Sequence, residues 1–248
     1  RYPTSSNGCA KLGFRPICIS NIIILLFSPL SNRQNAGDNP MNDALIQTFS
    51  LTFGFPYTQT RQELPPLEGG RHLHLGALDG FYRNMDGAWR SENPLADYWL
   101  EMETLFLQWL PYARLPDIWN DWAFGWNGKA KQYLPIEGWR EEWVVFGVMF
   151  DDSILFADTV APDSPVYWLM TGYGTVENRR LVAPSVAALM QTLLAIYDFE
   201  QKWQAEGRTV YDEEGCCTAA ELSAELHDLL CRELPPECAA GFEEAFWG

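Results

Sequence analysis

Apolar residues recur along the chain with two different periods. Between Asp43 and Leu51, the residues Leu45, Ile46 and Phe49 fall on one side at helical spacing, and Phe53-Gly54-Phe55-Pro56 ends that short helix. Leu64-Pro65-Pro66-Leu67-Glu68-Gly69-Gly70 follows as a rigid, turn-rich connector. From Pro94 to Leu110, the residues Leu95, Tyr98, Trp99, Met102, Leu105, Phe106 and Trp109 recur at steps of three and four. That spacing predicts an amphipathic helix stopped by Pro111. Residues 112–140 hold no sustained period: Trp119, Trp122, Trp126 and Trp139 are interleaved with Asp117, Asn120, Asp121, Gly125, Asn127 and Gly128. This reads as a loop-rich aromatic insertion with at most one helical turn.

Strand patterns begin at Trp143. Trp143-Val144-Val145-Phe146-Gly147-Val148-Met149-Phe150, a turn at Asp151-Asp152, and Ser153-Ile154-Leu155-Phe156-Ala157-Asp158 form a hairpin signature. Pro165-Val166-Tyr167-Trp168-Leu169-Met170 supplies a third strand and Gly172–Val176 the next turn, so an antiparallel meander is expected. A strong helix is predicted over Ser185–Lys202, preceded by Pro184 and closed by Gly207. Thr218-x-x-Glu221 has the form of a capping box, which predicts a helix to about Arg232. Pro235-Pro236 breaks it, and the residues up to Trp247 add one further turn.

Composition bounds the function classes. With 248 residues, 47% of them hydrophobic and 14% aromatic, the chain has enough apolar material for a real core. Its formal charge of −16 repels phosphate backbones and favours a basic protein partner over nucleic acid. The first forty residues differ from the rest: they carry Arg1, Lys11, Arg15 and Arg33 against Asp38 alone, which leaves −19 on residues 41–248. The apolar run Ile17–Leu30 is too short for a membrane span, which takes about 20 residues. Residues 1–40 are read as a non-native extension with Met41 as the natural start, or as a secretory leader. Cys9 and Cys18 lie in that segment; Cys216, Cys217, Cys231 and Cys238 fit no familiar zinc spacing and read as small apolar helix residues in a reducing cytoplasm.

Candidate chemistry is sparse. His72-Leu73-His74 would put two rings on one face of a strand, as a metal site needs, but no third ligand is near in sequence. Asp151, Asp152 and Asp158 would serve a paired-carboxylate hydrolase, although aspartates at a hairpin tip ordinarily satisfy turn amides. Gly172-Tyr173-Gly174 lacks the rest of a phosphate loop. No catalytic residue, metal or cofactor is therefore assigned. What chemistry leaves over is the segment Asp117–Trp126, whose large rings beside carboxylates suit capture of a basic protein surface. Asp117, Trp119, Asp121, Trp122, Trp126, Asp151 and Asp152 are the candidate partner-binding residues. The other reading of the same tryptophans is core beneath a long loop.

The residues 143–158, Pro165-Val166-Tyr167 and Leu181-Val182-Ala183-Pro184-Ser185-Val186-Ala187-Ala188-Leu189-Met190 together resemble the SMI1/KNR4 superfamily, also called the SUKH fold. Pro94-Leu95-Ala96-Asp97-Tyr98-Trp99-Leu100 looks like that family's upstream helix, so the likeness covers roughly residues 94–200. The chain departs from the pattern in the turn Asp152-Ser153 and in the long segment 112–140. The resemblance implies an α+β fold, an antiparallel or mixed sheet with helices packed on it, to which this chain adds C-terminal helices. The expected organisation is 1–40 as an extension, 41–206 as the SUKH-like domain and 207–248 as a helical extension. The resemblance also implies a bacterial immunity protein that binds and neutralises a toxin domain; the acidic charge points to a basic, nuclease-type toxin and the cysteines to the cytoplasm. A scaffold or regulatory adaptor of the same fold is the alternative.

Overall fold

The computed structural model describes residues 42–67, 73–85, 99–127, 129–170, 175–211 and 218–248. Its centre is an antiparallel sheet of six strands: β1 (Trp99–Glu101), β2 (Phe106–Trp109), β5 (Trp143–Met149), β6 (Ile154–Asp158), β7 (Val166–Leu169) and β8 (Arg180–Ala183), in the spatial order β1-β2-β5-β6-β7-β8. The expected hairpin pairs Val148 with Ile154 and Trp143 with Asp158, with a bulge between Val145 and Gly147. With six helices of at least six residues among the described residues, the α+β class is established.

The helix expected over Pro94–Leu110 is corrected to the hairpin β1–β2 for its described part; Pro94–Tyr98 lie outside the described residues. Leu107 and Trp109 are both fully buried, whereas Phe106 is 56% exposed. Residues two apart point about 200° apart on a helix but to the same side of a strand, so only strand geometry buries this pair together. The aromatic insertion is also corrected. Residues 112–140 contain a short 3-10 turn, the helix α3 (Leu115–Ala123) and a second hairpin, β3 (Phe124–Asn127) with β4 (Gln132–Pro135). Pro116 in the first turn of α3 costs no hydrogen bond there, which lets the helix follow straight on from the 3-10 turn at Tyr112–Arg114. The expected three-strand meander grows to six strands because β1, β2 and β8 join it at its two edges.

Helices α1 (Asp43–Thr52) and α2 (Leu78–Arg83) pack on β2 through Phe49 and Phe81, whose rings lie 5.2 Å and 5.0 Å from that of Trp109. The helix α4 (Val186–Ala205) starts where the sequence indicates, with Ser185 Oγ accepting from the Ala188 amide at 3.0 Å. The predicted capping box does not form. Thr218 instead bridges to Tyr211, α5 (Ala220–Glu233) begins two residues later, and Glu221 pairs with Arg208. The last segment is a full helix, α6 (Pro236–Trp247), rather than a single turn. It lies so close to β8 that a Cβ on Gly241 would stand 2.2 Å from the Leu181 carbonyl oxygen, so only glycine fits. Residues 38–248 accordingly form one unit that includes α5 and α6.

Three separate elements converge on Glu103 and Thr104, in the four-residue link between β1 and β2. Glu200 of α4, 1% exposed, accepts from the Glu103 amide at 2.9 Å, the Thr104 amide at 3.0 Å and the Thr104 hydroxyl at 2.5 Å. The carbonyls of the same residues accept from the Tyr211 hydroxyl at 3.0 Å and the Trp247 indole at 2.9 Å. Replacing Glu200 by Gln leaves an amide NH2 facing a backbone N–H. We expect urea unfolding of Glu200→Gln to show a loss of about 2–3 kcal/mol; a change within about 0.5 kcal/mol would contradict the clamp.

Candidate protein-contact surface

The sequence-selected residues divide into two groups. Asp117 is exposed in the first turn of α3, its carboxylate 3.5 Å from Arg114 Nε. Trp119 is 5% exposed, its ring set edge-on to Phe124 with centroids 6.2 Å apart. Asp121 is exposed, and Trp122 is half-buried against the core. Trp126 lies on β3 with its backbone opposite Tyr133; its side chain is outside the description. Asp151 and Asp152 are exposed at the β5–β6 turn.

The two groups stand on different elements, α3–β3 and the β5–β6 turn. The chain leaves β2 toward α3 at Leu110, whose amide bonds to the Phe146 carbonyl. Asp151 lies five residues beyond Phe146 in the opposite direction, about 16 Å at the rise of a strand. The core reading of the tryptophans holds for Trp119, since a buried ring has no surface to offer. The sharp features gather at the hairpin tip instead. There Phe150 is 84% exposed, with its ring 6.3 Å from that of Phe106. Phe106 pairs with Glu101, and Gln108 faces both Trp99 and Val148. By the alternation of strands, Trp99, Phe106, Val148 and Phe150 therefore follow one face of the sheet.

The turn beneath this strip is braced. Asp151 Oδ1 accepts from the Ser153 amide at 3.0 Å and from its hydroxyl at 2.5 Å, while Ser153 Oγ accepts from Trp168 Nε1 at 2.8 Å. Asp152 takes a left-handed conformation with φ of 63°, which the Asx turn holds and aspartate tolerates better than most residues. The result is two exposed rings and two acids on a tip held in a fixed geometry. Sequence reasoning found the acids and missed the rings. The available signal was Phe150 itself, a large apolar residue between the end of the strand and a polar turn, in step with Val148.

The remaining candidate chemistry disperses. Asp158 stands at the far end of β6 from Asp151 and Asp152, about 17–20 Å along the strand, against the roughly 5–10 Å that paired-carboxylate hydrolysis requires. His74 Nδ1 lies 3.4 Å from the Thr159 hydroxyl, and His72 falls outside the described residues. At the far end of the sheet, Trp139, Trp143, Phe156 and Tyr167 form an aromatic cluster, with Arg179 over the Trp143 and Tyr167 rings at 5.5 Å and 5.7 Å. Those rings already have a cation. Among the described residues no helix is long and apolar enough to cross a membrane. Comparison with protein-family models, with curated proteins and with solved structures gives no match.

Truncation separates the core ring from the surface ring. Trp119→Ala should lower stability by about 3–5 kcal/mol, as expected for emptying a buried aromatic site. Phe150→Ala should stay within about 0.5 kcal/mol in the same denaturation experiment. A large loss for Phe150→Ala would mean that the ring serves the fold and not a partner.

Proposed function

We propose that the chain is a non-catalytic protein-binding module that docks a basic partner on the strip Trp99, Phe106, Val148 and Phe150 and on the acids Asp151 and Asp152. The observation that carries this reading is Phe150, a nearly fully exposed phenylalanine fixed beside a second exposed ring on a braced acidic turn. An exposed aromatic ring has no role in the core, and its burial against a partner is worth about 1.5–3 kcal/mol. The charge of −19 over residues 41–248 favours encounter with a basic surface and disfavours an acidic one.

We take the partner to be a basic, nuclease-type toxin domain and the chain to be its immunity protein. That step rests on the resemblance of residues 143–158, 165–167 and 181–190 to SUKH proteins and on the acidic charge. The compartment of this reading is the cytoplasm, a choice supported by the free thiols of Cys231 and Cys238.

The test is capture on the full-length chain at low and moderate salt, followed by co-expression of the captured protein with and without the chain. A single basic partner, toxic alone and harmless in co-expression, is the expected result. Phe150→Ala should weaken its binding by roughly tenfold or more, equivalent to about 1.4 kcal/mol. Asp152→Lys should slow association and flatten the salt dependence. A captured partner that is not toxic would replace the immunity reading with a scaffold or adaptor. Binding indifferent to both substitutions would remove the hairpin tip as the contact face.

A further inference from the structure

Helices α5 and α6 are joined at Leu234–Pro235 and enclose a cluster of three side chains. His227 on α5 places Nδ1 2.6 Å from Glu243 Oε1 on α6. On the other side of the ring, Nε2 lies 3.6 Å from Sγ of Cys231, which is one helical turn further along α5. Spacing of four residues puts the imidazole and the thiol on the same helix face. The carboxylate fixes the tautomer: with Nδ1–H donating to Glu243, the lone pair is on Nε2 and faces the sulfur. Cys231 is exposed and the His227 side chain is 55% exposed, so solvent and ions reach the space between them.

The separation matches what a cation would demand. Zinc sits about 2.3 Å from a cysteine sulfur and about 2.0–2.1 Å from an imidazole nitrogen, and at a tetrahedral angle those bonds hold S and N about 3.5 Å apart. The carboxylate behind the ring is the arrangement that orients a ligating histidine and strengthens it as a donor. We infer that His227 Nε2 and Cys231 Sγ form a bidentate site for a thiophilic divalent cation such as Zn2+ or Cd2+, with Glu243 as the positioning carboxylate. Among the described residues no third His, Cys, Asp or Glu completes the set, so water fills the remaining positions. Binding replaces the thiol proton, which is released to solvent, and leaves the imidazole neutral.

Protons compete for the same ring. Hydrogen bonding to Glu243 and then its charge, with a smaller contribution from Asp228 on α5, raise the His227 pKa above its ordinary 6.5. Cys238, buried on α6 with its thiol pushed up to about 11 by desolvation, is not available to the cation.

The experiment is a titration of the reduced, metal-free full chain with Co2+, following the sulfur-to-cobalt charge-transfer band, with circular dichroism to show that each variant is folded. A band is expected that disappears in Cys231→Ser and loses at least tenfold in affinity in His227→Gln. Glu243→Gln should bring the His227 NMR titration midpoint down and weaken Co2+ by about 10–100-fold. Absence of the band, or a band unchanged in Cys231→Ser or His227→Gln, would overturn the site and leave a plain thiol–imidazole hydrogen bond. Unchanged affinity in Glu243→Gln would overturn the positioning role of that carboxylate.

Discussion

Glu200 is buried in the middle of a hydrophobic region, and among the described residues no lysine, arginine or histidine pairs with it. Burying a carboxylate this way costs several kcal/mol unless hydrogen bonds replace the lost water. Two backbone amides and a hydroxyl do so here, all from the turn Glu103–Thr104. The requirement runs both ways. The turn needs acceptors for its amides inside the protein, and the carboxylate needs those donors; neither is stable without the other. Because Tyr211 and Trp247 donate to the carbonyls of the same two residues, the β1–β2 hairpin, α4, the segment after it and α6 are fixed relative to one another at a single point.

That constraint also shapes the surface. With the turn clamped, β1 and β2 extend the sheet beyond β5, and their registers carry Trp99 and Phe106 onto the face that Val148 and Phe150 share. Helices bury the opposite side through Trp109, Phe49 and Phe81. The strip at the hairpin tip keeps its rings in solvent. Its geometry is held by the chain of bonds Asp151, Ser153 and Trp168.

The hairpin β5–β6, the strand β7, the start of α4 at Ser185 and the short helix α1 are local features, and each was legible because pattern, turn chemistry and cap agree. The stretch 99–109 was not. Its apolar residues satisfy a three- and four-residue step, and the reversal at 103–104 is held by the distant Glu200, Tyr211 and Trp247. The box at Thr218–Glu221 failed for a similar reason: Tyr211 and Arg208, brought close by the end of α4, compete for the residues that would have capped the helix. For the site, Asp151 and Asp152 were legible as a turn, whereas the pairing of Phe106 with Phe150 joins residues 44 positions apart and is a product of sheet register alone.

By itself, then, the sequence determined the class: an acidic chain with a strand-rich middle and helical flanks, because charge, period and turn residues act over a few neighbours. Tertiary structure decided which apolar residues became core and which became surface. Trp119 and Phe150 are equally hydrophobic in sequence, yet one packs edge-on to Phe124 and the other stands in water. Burial depends on what lies across the fold, and no local pattern records it. The same holds for His227 and Glu243, sixteen residues apart and joined only because α6 folds back along α5.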